Sequence, residues 1–349
     1  MRIVLISDAG PEATGLPQTT TPSAVGRMLE KAFHDLVGLQ PAHQWMVMPL
    51  PASPRKWSLL SNNKKNEELT AVSPDLVVYT SITNLQSIKG IPAALIVSGK
   101  PGVNKAASLR KKLAGVKMFI TWSDILKHSL IQSLDIPESR AITIPLFNEP
   151  AWLQDHERQQ VREQFTNGKE YFLYAGPIAR NKEWEKLLQA FSIFKKWQQS
   201  GFQMMLTGDI ETGYEEDFMQ QLSAYKYRQD VLLTGNAAQP DKDRLAAAAF
   251  AVLCRCADLE DRQHIIDAFR NGIPVITEKN DLAFELASDT ALFVVWDDVP
   301  QLSQHMISLY KNEPLYDDLA QKGRTASLRF NRQQMLLELS NALLAAAQS

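Results

Sequence analysis

Twelve short apolar runs, separated by stretches of helical pattern and interrupted once near the middle, constrain this chain more than any other feature. In the first half the runs are MRIVLIS, WMVMPL, DLVVYT, AALIVS, KMFIT and AITIPL; in the second they are YFLYAG, FQMMLTG, DVLLTG, FAVLCRC, IPVIT and ALFVV. Their length and richness in Val, Ile and Leu suit strands buried on both faces of a parallel sheet. Between them, PSAVGRMLEKAFHDL follows a Thr21 cap with Pro22 in the first turn, and DILKHSLIQSL follows a Ser123 cap; both read as helices. EWEKLLQAFSIFKKWQQ, EEDFMQQLSAY, DKDRLAAAA and HIIDAFRN are the matching helices of the second half.

The alternation lapses over residues 146–168, a polar connector followed by a helix, and then restarts. A chain of 349 residues also exceeds what one hydrophobic core usually organises. The expected fold is therefore α/β, with two Rossmann-like doubly wound domains facing a cleft. The expected domains are residues 1–150, residues 151–328, and a C-terminal helix over 329–349 that packs back on the first. Ligands of such sheets bind beyond the carboxyl ends of the strands.

Charge is unevenly spread. Residues 1–150 carry 16 Lys and Arg against 11 Asp and Glu, and the remainder 21 against 28. The basic surplus gathers in residues 55–65 and 105–117, which read either as solvated helix faces or as a surface suited to peripheral contact with an anionic membrane. The acidic overall balance and the lack of a recognition motif exclude nucleic acid as the expected partner. No apolar run reaches the roughly 18 residues that span a bilayer, and MRIVLIS, followed at once by Asp8, is too short for a signal peptide, so a cytoplasmic protein is expected. Cys254 and Cys256 form C-x-C at the end of an apolar run. Two thiols do not make a zinc site, and strand alternation would point both to one face as buried free cysteines.

Three ordered stretches of the second half resemble the GT-B-type glycosyltransferases of the large retaining family that includes many sucrose-, mannose- and lipopolysaccharide-forming enzymes. They are YFLYAGPIARNKEWEKLLQAF; FQMMLTGDIETGYEEDFMQQL with DVLLTGNAAQPDKDRLAAAAFAVL; and LEDRQHIIDAFRNGIPVI with its continuation. In the first half, MFITWSDILKHSLIQSLDIPESRAITIPLFNEP is similar to the family's last strand, capped helix and strand before the crossover.

The resemblance implies retaining transfer of a hexose from a nucleotide-diphosphate sugar to a glycan or lipid-linked acceptor. It implies no cofactor and no bound metal, so cationic side chains and helix N-termini must meet the leaving diphosphate. Residues 151–328 would bind the nucleotide sugar and residues 1–150 the acceptor. In the family pattern the glycine after the first strand of this domain is followed by an arginine and then a lysine. Here Gly176 and Lys182 match, Pro177 replaces the arginine, and Arg180 lies between as a substitute cation or as an ordinary loop charge. Asp267 aligns with the glutamate that accepts hydrogen bonds from the ribose. The family's other glutamate falls on Leu259, and Glu260 reaches its place, as the catalytic carboxylate near the donor sugar, if the loop is one residue shorter. The glycines between the two acids are replaced by Glu260 and Arg262, and Arg262 would reach the phosphates itself. His264, near the start of the helix, could touch the same region or be purely structural.

In the first half the resemblance directs attention to Gly10, Gly15, Ser98 and Gly99 as cleft residues. The glycines also read as turn residues, and Ser98 stands where many members carry a histidine. These departures leave one alternative open, a catalytically inactive relative that serves as a nucleotide-sugar sensor or partner subunit, because folding needs none of the functional residues.

Overall fold

A computed structural model describes residues 1–7, 24–49, 69, 71–82, 85, 88, 90–97, 113–149, 151–181, 183–234, 239–257 and 259–349, excluding the side chains of Ala24, Val25, Pro49, Gln239, Pro240 and Glu260. The chain divides into two compact units, Met1–Asn148 with Phe330–Ser349, and Glu149–Arg329.

The first unit holds strands β1 (Arg2–Ser7), β2 (Gln44–Pro49), β3 (Leu76–Tyr79), β4 (Ala93–Val97), β5 (Val116–Thr121) and β6 (Ala141–Thr143), with helices α1 (Ala24–Leu39) and α2 (Asp124–Leu134). Its sheet runs β2-β1-β3-β4-β5-β6, parallel throughout. Burial of whole strands, from Ile3 through Ile6 and from Leu76 through Tyr79, explains why they read as unbroken apolar runs. Ser123 caps α2 as its spacing predicts, its Oγ accepting from Leu126 N at 3.3 Å. Thr21, the predicted cap of α1, lies outside the described residues.

The second unit contains helices α3 (Asp155–Thr166), α4 (Glu183–Gln198), α5 (Glu215–Ser223), α6 (Gln239–Ala247), α7 (Leu259–Asn271), α8 (Asp281–Ala287), α9 (Val299–Lys311) and α10 (Glu313–Ser327). Around them run strands β7 (Tyr171–Tyr174), β8 (Gln203–Leu206), β9 (Val231–Leu233), β10 (Ala251–Cys254), β11 (Val275–Glu278) and β12 (Leu292–Val294). This sheet is also parallel, in the order β12-β11-β10-β7-β8-β9. An aromatic cluster anchors one face: Phe172 meets Phe194 at 5.1 Å between ring centroids and Phe202 at 5.2 Å, and Phe202 meets Phe250 at 4.9 Å. The final helix, α11 (Arg332–Gln348), belongs to the first unit. There Arg332 pairs with Asp35 at 2.6 Å and donates to Phe147 O at 2.8 Å.

All twelve expected strands form, and the helical expectations change at α7 and α10, as well as at α8, which the sequence reading did not include. The stretch LEDRQ, which lies ahead of the expected helix HIIDAFRN, forms the first turns of α7, where Asp261 folds back and accepts from Ala257 N at 2.7 Å. Helix α10 is absent from the sequence reading, although Asn312 caps it by accepting from Leu315 N at 3.1 Å and Pro314 sits in its first turn. At the other end of α7, Gly272 adopts φ +63°, a left-handed cap that glycine takes without steric cost.

One backbone contact fixes the upper edge of the second sheet. A Cβ on Gly208 would lie 1.8 Å from Gly176 O, and one on Gly176 would strike the ring of Tyr174. The loops after β7 and β8 therefore touch backbone to backbone. We expect Gly208→Ala to cost about 1–3 kcal/mol through overpacking, measured by denaturant unfolding; an unchanged midpoint would contradict this contact.

Candidate functional site

The strand order of the second sheet determines where a ligand can enter. The chain starts in the middle at β7, winds outward through β8 to β9, then crosses back to β10 on the other side of β7. The loops leaving β7 and β10 at their carboxyl ends diverge, and a crevice opens at such a reversal. The described residues at that reversal are 175–181 after β7, and Arg255, Cys256 and the start of α7 after β10.

The β7 loop is strapped to the β8 loop. Ile178 N donates to Asp209 O at 3.0 Å, and Glu211 N donates to Ile178 O at 2.9 Å. Arg180 closes the strap: its N donates to Glu211 Oε2 at 3.0 Å, its Nη1 to Glu211 Oε1 at 3.2 Å, and its Nη2 to Gly213 O. Its guanidinium also lies 5.3 Å from the centroid of the Tyr214 ring. Arg180, the expected substitute for the missing phosphate-facing arginine, is thus held by Glu211 and the Gly213 carbonyl with its side chain half-exposed. Gly176 stands at the expected loop, but contact with Gly208 and Tyr174 accounts for it without a ligand. Lys182 lies outside the described residues.

Across the crevice, Arg255 is the residue that sequence reasoning missed. Its Nε donates to Glu278 Oε2 at 2.7 Å, its Nη2 lies 2.6 Å from the same oxygen, and its Nη1 pairs with Glu183. Burial opposes its charge, but the hydrogen bond and charge of Glu278, with Glu183, outweigh that and raise its pKa. One side chain thus ties the ends of β10 and β11 to the start of α4. The signal was visible in AFAVLCRC: a lone cation at the carboxyl end of a buried strand.

Just beyond it, Cys256 sits at φ +58°, a left-handed conformation unusual for a residue with a side chain and one that clusters at functional sites. Strand β10 ends at Cys254, so the alternation expected for C-x-C stops before Cys256; both thiols are buried and neither is in a disulfide.

Helix α7 carries the remaining candidates. Leu259 is fully buried, and Glu260 follows in the first turn, its side chain outside the described residues. Arg262 is 3% exposed, and burial lowers its pKa to about 10, with Arg329 adding to the shift and Cys256 and Glu285 opposing it. Arg262, expected to reach the phosphates, is thus buried at the start of α7. His264 is half-buried on the same helix. Asp267 is half-buried and accepts from Gln263 Nε2 at 2.5 Å. Burial pushes its pKa up to about 8, Gln263 opposing and Asp243 of α6 adding. In the first unit, Gly10, Gly15, Ser98 and Gly99 lie outside the described residues. Among the described residues no three His, Cys, Asp or Glu side chains gather to hold a metal ion, and no helix is long and apolar enough to cross a membrane.

Comparison with known proteins agrees with this architecture. Residues 155–326 match the family Glycosyl transferases group 1. O-antigen chain mannosyltransferase B of Escherichia coli is 22% identical over 239 residues, which span 67% of this chain and 62% of the mannosyltransferase. Crystal structures of Anabaena HepE, one with UDP and glucose and one with UDP-glucose, superpose with TM-scores of 0.77 at 15% identity. The first covers 98% of both chains, and the second covers 99% of this chain and all of HepE. A glycosyltransferase from Rickettsia africae superposes with a TM-score of 0.69 at 13% identity, covering 99% of this chain and 98% of its own.

Asp267 generates a prediction with a definite sign. Between about pH 4 and pH 8 the folded protein keeps a proton that the unfolded chain has lost, so this group makes stability fall as pH rises, by at most about 1.4 kcal/mol per pH unit. We expect Asp267→Asn to flatten that slope and to exceed the parent in stability at pH 8; denaturant unfolding at pH 5 and pH 8 checks this, and parallel slopes would refute it. Residues 155–326 of the second unit thus match the glycosyl transferases group 1, and the chain shares the GT-B fold of two parallel-sheet units with its structural neighbours.

Proposed function

We propose that the protein transfers a hexose from a UDP-linked or similar nucleotide-diphosphate sugar to a glycan or lipid-linked acceptor, with retention at the anomeric carbon and without a metal. The observation that carries the reading is the reversal of strand order between β7 and β10, which lies within the residues matched to the glycosyltransferase family. The relatives support the substrate class: HepE has been crystallised with UDP and glucose, and the Escherichia coli protein is described as a mannosyltransferase. Retention follows the resemblance to the retaining family.

Each remaining candidate has a role in this reading. The second unit binds the donor and the first selects the acceptor, with Gly10, Gly15, Ser98 and Gly99 as its candidate contacts. Lys182 faces the diphosphate, since Glu211 holds Arg180 and Arg262 is buried. The amide groups at the start of α7 add their partial positive charge, which stabilises an anion without a metal. Glu260 faces the donor sugar, because the alternative residue at that point, Leu259, belongs to the core. Asp267 meets the ribose hydroxyls once Gln263 gives way.

A thermal-shift panel with UDP, GDP, ADP and their sugars tests the donor. A ligand at one hundred times its dissociation constant adds about 2.7 kcal/mol, so one nucleotide should raise the melting temperature. Lys182→Ala should weaken that shift, and Glu260→Gln should keep it while losing about 100-fold or more in transfer rate. No shift with any nucleotide would overturn the reading; a shift without transfer would favour the sensor alternative.

The basic surplus of residues 1–150 supports peripheral contact with an anionic, cytoplasm-facing membrane surface, at about 1 kcal/mol per well-placed Lys or Arg. Binding to phosphatidylglycerol vesicles that is lost at high salt is the expected result. Salt-independent binding, or none, would contradict it.

A further inference from the structure

At the amino edge of the second sheet, the end away from the β7/β10 crevice, three guanidinium groups gather near one phenol. Arg158 on α3 donates Nε to Leu153 O at 3.2 Å and Nη2 to Asn271 O. The guanidinium of Arg324 on α10 packs against the neighbouring residue, filling the space a side chain on Gly272 would take. Arg162, one turn after Arg158, pairs with Glu170 at 2.5 Å, yet its Nε and Glu170 Oε2 are buried without a partner. Tyr316 packs on Phe250 at 4.9 Å between centroids and feels the charges of all three arginines and of Glu170. Among the described residues neither the Arg324 guanidinium nor the Tyr316 hydroxyl has a hydrogen bond or an ion pair.

The end of α7 explains part of this arrangement, because its exposed carbonyls carry a partial negative charge of about half an electron. That charge is too small for the cations assembled there. Arg158 already holds the Asn271 carbonyl, and Glu170 is the one carboxylate hydrogen-bonded within the group. Arg158 registers the surplus: burial lowers its pKa, and Arg324 and Arg162 add to that against Tyr316 and Asp155. An oxyanion spanning Arg158 and Arg324 would relieve the repulsion. It would also accept from the phenol, which burial keeps protonated by raising its pKa to about 12.

We propose that Arg158, Arg324 and the Tyr316 hydroxyl form a second anion site, separate from the donor crevice, that binds a phosphate monoester or inorganic phosphate. The fork of Arg324, the Nη1 group of Arg158 and the hydroxyl can together meet three phosphate oxygens, and a fork suits arginine better than lysine.

Thermal shift of the full chain with inorganic phosphate, against chloride at equal ionic strength, tests the site. Phosphate should raise the melting temperature. Arg324→Gln, at an exposed position that folding tolerates, should weaken phosphate at least tenfold, and Tyr316→Phe, which keeps the ring, several-fold. Lys182→Ala should leave the phosphate response unchanged, which separates this site from the donor reading whether or not a nucleotide binds. Sedimentation with phosphatidic-acid vesicles identifies the source: Arg324-dependent pelleting assigns a lipid headgroup, and a response to free phosphate alone assigns a small phosphorylated ligand. An equal response to chloride, an unaltered response in Arg324→Gln, or its loss in Lys182→Ala would overturn the proposal.

Discussion

Parallel pairing is the constraint from which the rest of this molecule follows. A parallel strand cannot return by a hairpin, so each connection crosses the sheet through a helix or long loop, and both faces become buried. The strand ends are then the edges left open, with loops entering at one and leaving at the other. In the second unit the chain starts in the middle of the sheet and reverses direction after β9, which leaves one break in the covering at the carboxyl edge. Glu183, Arg255 and Glu278 meet there because three separate segments end there.

The strands were legible because burial on both faces removes the need for polar residues, and runs such as DLVVYT and YFLYAG leave no competing reading. The doubly wound arrangement follows from strand and helix alternation. Helix α10 was hidden by composition: EPLYDDLAQKGRTAS mixes charge with a glycine, and its apolar stripe makes sense only against α7, where Gly323 lets the two helices approach at Phe269. The start of α7 was misread for a related reason. LEDRQ is polar in sequence, yet Leu259, Asp261 and Arg262 are all buried, since a long side chain can satisfy its polar end inside a fold.

The candidate site was less legible than the fold, because sequence spacing says which residues are near but not what holds them. Arg180 stands at a suitable distance from Gly176 in sequence; Glu211, 31 residues further on, takes its charge. Arg262 is near the start of α7, and its orientation buries it. Arg255 lies outside the resemblance altogether. Its two carboxylate partners are 72 and 23 residues away, a grouping that only the fold assembles. Gly176 matches the expected pattern for a reason of its own, a backbone contact with Gly208, so a retained glycine here reports packing before it reports phosphate.

The proposed function puts the donor nucleotide beyond the ends of β7 and β10. A crystal structure with UDP tests that most directly. The account predicts the diphosphate between the β7 loop and the start of α7, within hydrogen-bonding distance of Lys182. Nucleotide bound anywhere else in the chain, or an empty crevice at saturating UDP, would contradict it.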